Sequence, residues 1–250
     1  MIEMSWLRTF TPRPNARFRL FCLPHAGGVA GGYRPWVDLL PADVELVAIQ
    51  YPGRQDRFGE PCARSVADLA AGAGTAVADL LSVPYAVFGH SMGATVAFEM
   101  IRSFQKAGAR LPVRMFASAR TAPSRSRSTG VDPSDEEELL AHIRRLGSAG
   151  GASLDAEPRL RPVVLPSLRA DLEAVNTYRF AGGEPLRCPV TAIAGTTDAS
   201  VERADVKAWR LHTTQAFEYH ELPGGHFYLE ESTAELVSLV VSTITDAVPA

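Results

Sequence analysis

Along most of this chain, short apolar runs alternate with longer stretches of helical spacing. This alternation limits the fold more than any single motif does. Strands joined through helices lie parallel, and the helices cover the faces of the sheet. The runs are Phe18–Leu23, Leu46–Tyr51, Tyr85–Gly89, Arg114–Ser118, Val190–Ala194 and Phe217–Glu221. Most are continuously apolar, as expected of strands covered on both sides. Helical spacing fits Val66–Leu81, where Gly72 and Gly74 weaken the propensity, and also Ser91–Ala107 and Ala234–Asp246. The 250 residues suit one large α/β domain over 1–250, or two small ones.

The rhythm breaks between residues 124 and 187, where no strand pattern occurs. Ser134 stands three residues before Glu137, a capping-box spacing, and Glu136–Leu146 reads as a helix. A Gly/Ser-rich patch, Gly147–Ser153, reads as a flexible connection. Arg159–Tyr178 follows, helical apart from Pro162 and Pro166. Helices inserted between two strands are expected to form a lid over the sheet's carboxyl edge, where open α/β sheets place their sites. A second structural subdomain with no gating role is the other reading.

The segment from Tyr85 to Ala94 is an apolar strand, then Gly89–His90–Ser91–Met92–Gly93, then a helix. Glycines on both sides of a serine leave room for a sharp strand-to-helix turn that holds the hydroxyl exposed. Ser91 is therefore the expected nucleophile of an α/β-hydrolase. The Met92 N–H, at the helix N-terminus, is an expected oxyanion donor. The strand Phe18–Leu23 runs into Pro24–His25–Ala26–Gly27–Gly28, which makes the Ala26 N–H the expected second donor, with His25 shaping the loop.

Serine needs a base and an orienting acid, in the order Ser, Asp or Glu, His for this fold. Of the six histidines, His226 follows Pro223–Gly224–Gly225 directly after the last strand and is the expected base. His220, on that strand, is the runner-up. His142 and His212 read as surface or packing residues. Asp198, in the exit loop after Val190–Ala194, is the expected acid. Glu202 and Asp205 stay open as alternatives, although they read as first-turn residues of the next helix.

Composition removes several other classes. A net charge of −3 gives no reason to expect nucleic acid or an anionic membrane as partner. Three cysteines without CxxC spacing point away from a disulfide framework or a zinc site and toward a reducing, cytoplasmic setting. No secretory leader pattern and no run of about 18 apolar residues occurs. No metal or cofactor is expected, and a monomer is the default. Arg120, Arg125 and Arg127 cluster near the expected mouth, either as a docking patch for an acidic partner or as a solvated loop.

The segments FCLPHAGGVAGGYRPW, YPGRQDRFGEP, VFGHSMGATVAFEM, FASARTAP and LPGGHFYLEE occur in this order. From about Arg17 onward the chain resembles the type II thioesterases of polyketide and non-ribosomal peptide synthesis. The HAGG loop and the YPGRQDRFGEP run are the specific parts, since GHSMG is shared by many hydrolases. The resemblance implies an α/β-hydrolase core with a helical lid and a triad at Ser91, Asp198 and His226, with Ala26 and Met92 as oxyanion donors. It also implies hydrolysis of stalled or wrong acyl groups from the phosphopantetheine arms of acyl or peptidyl carrier proteins. The acid motif, GTTDAS, departs from the family's more usual form, which has a further charged residue before the aspartate. A small-molecule carboxylesterase, an acyl-CoA thioesterase and a non-catalytic acyl-binding module are the rival readings.

Overall fold

The computed structural model describes residues 6–147 and 149–245. Seven strands form one sheet: β1 Leu7–Arg8, β2 Phe18–Leu23, β3 Val44–Ile49, β4 Tyr85–His90, β5 Arg114–Ser118, β6 Val190–Gly195 and β7 Phe217–Leu222. Their order is β1-β3-β2-β4-β5-β6-β7. All neighbours are parallel except β1, which pairs antiparallel with β3 through Leu7 and Ile49. This is the α/β-hydrolase sheet. The two-residue β1 has too little pattern to be read from sequence. β3 begins and ends two residues before the expected Leu46–Tyr51, because Tyr51 is apolar and buried but packs outside the ladder.

β4, β5 and β6 are buried along their whole length, while the edge strand β7 is half exposed. On one face lie the helices α1 Val66–Val77 and α2 Met92–Ala107, with Trp209. On the other lie a 3-10 segment, Ala30–Leu39, and the helix α8 Thr233–Thr245. The expected end of that last helix, Asp246, lies outside the described residues. Gly72 costs α1 propensity but sits under the Trp6 ring, which an added Cβ would strike. The chain leaves β2 on one side for β3 and on the other for β4. This reversal opens a crevice at the carboxyl ends of β2 and β4, the place where such sheets hold their sites.

Three helices fill the chain between β5 and β6: α3 Glu136–Leu146, α4 Ala149–Ala156 and α5 Arg161–Thr177. Two expectations for this stretch need correction. The cap of α3 is Asp135, whose carboxylate accepts from the N–H groups of Glu137 and Glu138. Ser134 instead donates to Asp132, closing the turn before the helix. The Gly/Ser-rich patch, expected to be flexible, lies largely within α4. There Gly151 sits against Ile143, Leu154 is buried, and Arg144 forms a bidentate pair with Asp155 at 2.8 and 2.7 Å. Tertiary contact overrides weak propensity at this point. Pro162 sits in the first turn of α5, where a missing N–H costs nothing. Two short helices complete the described chain: α6 Arg203–Lys207 and α7 Tyr228–Glu231. Among the described residues, no helix is long and apolar enough to cross a membrane, and no cluster of side chains has metal-ligand character.

Candidate active site

The turn after β4 is as tight as its glycines require. A Cβ at Gly89 would strike the Gly93 carbonyl, and one at Gly93 would strike the Leu23 carbonyl of β2. Only bare backbone lets α2 pack this closely on two strands. Ser91 between them takes φ +52° and ψ −118°, a conformation L-residues avoid. Its N–H donates to the Ser118 carbonyl at 2.8 Å, which fixes the elbow to the end of β5. Met92 begins α2, so its N–H is one of the first-turn donors a helix leaves without an internal acceptor.

His226 and Asp198 lie on loops that fold together. Thr196 N–H donates to the Leu222 carbonyl and Thr197 N–H to the Gly224 carbonyl, linking the exits of β6 and β7. Gly195 leaves no room for a Cβ beneath the Gly225 carbonyl. The His226 Nε2 stands 3.0 Å from the Ser91 Oγ, and its Nδ1 stands 2.8 Å from the Asp198 Oδ2. Burial alone would raise the pKa of Asp198. Hydrogen bonds from His226 and Ser200, with the attraction of His226, outweigh it and hold the carboxyl below its usual value. An ionised Asp198 requires the proton on His226 Nδ1, which leaves Nε2 free to accept from Ser91.

The alternatives are placed elsewhere. His220 lies on β7 facing Glu218 at 3.5 Å. Glu202 precedes α6, and Asp205 sits in its first turn, 3.9 Å from Arg125. His212 bonds Ser124 and is pushed to a pKa of about 4, first by burial and then by Arg102. His25 packs against Phe227 and is driven to about 3 by burial, with His226 and Arg54 adding to the effect. It is therefore neutral and shapes the loop, whose Gly28 N–H donates back to its carbonyl at 2.9 Å.

Sequence reading missed Ser200. Its N–H and Oγ donate to the Asp198 Oδ1 at 2.9 and 2.6 Å, and its Oγ lies 2.8 Å from the His226 Nδ1. The Asp-x-Ser spacing was the available signal, because a carboxylate accepts from the N–H two residues on. A second buried group, His90–Ser118–Tyr228, lies behind the site. The His90 Nδ1 is 2.8 Å from the Ser118 Oγ, which also bonds the Tyr228 hydroxyl. Ser118 is fully buried, so it offers no exposed nucleophile.

Ser91 and His226 open into a chamber of about 260 Å³, whose far wall is Leu154, Leu168 and Leu172 of the cap helices. A wider groove of about 460 Å³ reaches Ser91 from outside, past Arg125, Arg127 and Arg145. Arg120 also lines the groove but is engaged inward, donating to the Thr95 and Ser126 hydroxyls.

A family model described as "Thioesterase domain" matches residues 18–246. The chain belongs to the thioesterase family. It is a serine hydrolase of that family and groups with its type II members. It is 40% identical to "Thioesterase PikA5" of Streptomyces venezuelae, over 92% of this chain and 82% of that protein. It is 32% identical to "Gramicidin S biosynthesis protein GrsT" of Aneurinibacillus migulanus, over 94% and 92%. Among solved structures, the type II thioesterase BorB from the borrelidin biosynthetic cluster superposes with a TM-score of 0.85 at 38% identity, covering 95% of this chain and 96% of that one. The thioesterase motifs occupy distinct places in the structure. GHSMG, HAGG and LPGGH meet at the chamber, while YPGRQDRFGEP lies behind the HAGG loop.

Proposed function

We propose that this thioesterase hydrolyses aberrant or stalled acyl groups from the phosphopantetheine arms of acyl or peptidyl carrier proteins in a polyketide or non-ribosomal peptide synthase. The observation that carries the reading is the unbroken chain from the Ser91 Oγ through His226 to Asp198, at 3.0 and 2.8 Å, opening on an apolar chamber. Ser91 attacks the thioester carbonyl and His226 takes its proton at Nε2. The Ala26 and Met92 N–H groups receive the oxyanion. The tetrahedral intermediate expels the pantetheine thiolate, to which His226 returns the proton. Water, deprotonated by His226, then cleaves the acyl-Ser91 ester and releases the acid. No metal or redox cofactor enters these steps.

Residues 124–187 act in this reading as a helical lid on a single α/β-hydrolase domain spanning 1–250, of which residues 1–5, 148 and 246–250 lie outside the described set. The site is completed within one chain, which supports a monomer as the working unit. Cys22, Cys62 and Cys188 are free thiols, which supports a reducing, cytoplasmic setting. The groove past Arg125, Arg127 and Arg145 suits the approach of an acidic carrier. Among the described residues, Arg127 and Arg145 have no carboxylate within ion-pair distance.

The test compares an acyl-carrier thioester with the same acyl group on a small thiol and on an oxygen ester. Ser91→Ala should remove turnover on all three, and wild-type turnover in that variant would sink the nucleophile. A carrier thioester turned over no better than the free ester would instead favour a small-molecule esterase.

A further inference from the structure

A buried ion pair stands behind the oxyanion loop, and none of the steps above uses it. Asp171 of α5 is fully buried, and Arg54 of the YPGRQDRFGEP run is nearly so. The Arg54 Nη1 and Nη2 reach the Asp171 Oδ2 and Oδ1 at 2.6 and 2.9 Å. The same Oδ2 accepts from the Gly27 N–H at 2.7 Å, and the same Nη1 donates to the Gly28 carbonyl at 3.2 Å. Behind them the Tyr51 ring lies 5.3 Å from the guanidinium, and its hydroxyl donates to the Pro24 carbonyl at 3.3 Å. The loop is thus gripped at Pro24, Gly27 and Gly28. Ala26 lies between these points, and among the described residues its N–H has no protein acceptor.

The structure assigns Arg54 and Asp171 as positioning residues that set the Ala26 N–H in the oxyanion hole from the cap helix α5. This rests on the reading of Ser91 and Ala26 given above. A buried pair is poor stabilisation, because desolvating two charges offsets most of their attraction, and apolar residues of similar volume often serve as well. A pair kept here, bonded to the residue after an oxyanion donor, makes sense as a geometric device. Burial lowers the guanidinium pKa, but the Asp171 carboxylate outweighs it and the net shift is upward, so Arg54 stays charged. Gly27 also lies against Leu168, one turn before Asp171. α5 therefore contacts the loop by packing and by hydrogen bond at once.

The decisive variant replaces both partners by apolar residues, Arg54→Met with Asp171→Leu, which leaves no orphaned charge. Turnover of an acyl-pantetheine thioester is measured alongside the affinity for an alkylboronic acid, which forms a tetrahedral adduct on Ser91 with one oxygen in the oxyanion hole. The expected result is a folded protein with KM within about threefold of wild type, kcat lower by about 10²-fold, and boronate affinity lower by a similar factor. Unchanged kcat overturns the proposal. So does a rise in KM alone, or a fall in kcat without loss of boronate affinity, since either would mean the pair supports only the chamber or the fold. If the double variant does not fold, Asp171→Asn and Arg54→Lys keep the shape while weakening the bidentate grip. Each should lower kcat and boronate affinity about tenfold at constant KM, and the same outcomes overturn the proposal. Ser91→Ala in the same assay separates the two layers: turnover surviving there brings down the underlying reading, whereas its loss there with unchanged kcat in the Arg54 and Asp171 variants brings down the strut alone.

Discussion

The carboxyl edge of the sheet and the helices above it enclose the same chamber, but they are held by different forces. The edge is fixed by backbone: β4, β5 and β6 are buried throughout, and the loops bearing Ser91, Asp198 and His226 are joined by main-chain hydrogen bonds. The cap is fixed by side chains. α3 buries only Leu139 and Leu140, α4 adds Leu154, and these meet Leu165, Leu168 and Leu172 of α5 in a small cluster of their own. α5 belongs to both regions, because its later residues Ala174 and Val175 enter the main core and Asp171 grips the oxyanion loop. Ser91, Asp198 and His226 therefore sit where displacement costs most, and α3 and α4 sit where it costs least. α5 is thus tied to both the sheet and the chamber, whereas α3 and α4 pack mainly on α5 and on each other.

Breaking the edge should cost far more than breaking the cap. Asp198→Asn leaves the shape but no longer requires the proton on His226 Nδ1. We expect kcat to fall by about 10⁴, read by steady-state hydrolysis; a loss under tenfold would return Glu202 or Asp205 to consideration. Ser200→Ala removes a donor to the ionised Asp198, and kcat should fall about tenfold with KM unchanged. A change confined to KM would place Ser200 in the groove instead.

The buried histidines of the edge should also make it acid-sensitive. His25 has a folded pKa of about 3, and His90 is held well below its usual value, chiefly by burial. Below the unfolded value of about 6.5 the unfolded chain takes up protons that these side chains refuse. Their stabilising contribution is therefore complete above about pH 6.5 and declines as pH falls toward 3. The melting temperature should drop by several degrees between pH 7 and pH 5, and a flat profile over that range would contradict the buried neutral histidines.

The cap should change selectivity and leave chemistry intact. Leu154→Trp fills the chamber's far wall, and kcat/KM for the longest accepted acyl chain should fall about tenfold while that for an acetyl thioester holds. Equal losses on both would show that α4 supports the edge as well. Arg127→Glu with Arg145→Glu should raise KM for an acyl-carrier a few-fold and leave a small thioester unaffected, with the difference fading at high salt.

The parallel sheet, the elbow at Ser91, and the placing of Ala26, Asp198 and His226 at strand ends were legible in the residues alone. Each of these follows from local chemistry: apolar runs, glycines that permit a tight turn, and the rule that loops after parallel strands share one edge. The other features arise only when distant parts of the chain meet. Arg54 and Asp171 are 117 residues apart, and neither carries a local sign that the other is its partner. Ser200 is close in sequence to Asp198 only, and its contact with His226 forms when the loops after β6 and β7 fold together. The glycines of α4 read as flexible because propensity is weighed without neighbours, yet Ile143 and the Arg144–Asp155 pair hold them in a helix. A partner distant in sequence enters only as the chain closes, so pairing and packing of this kind leave no spacing to read.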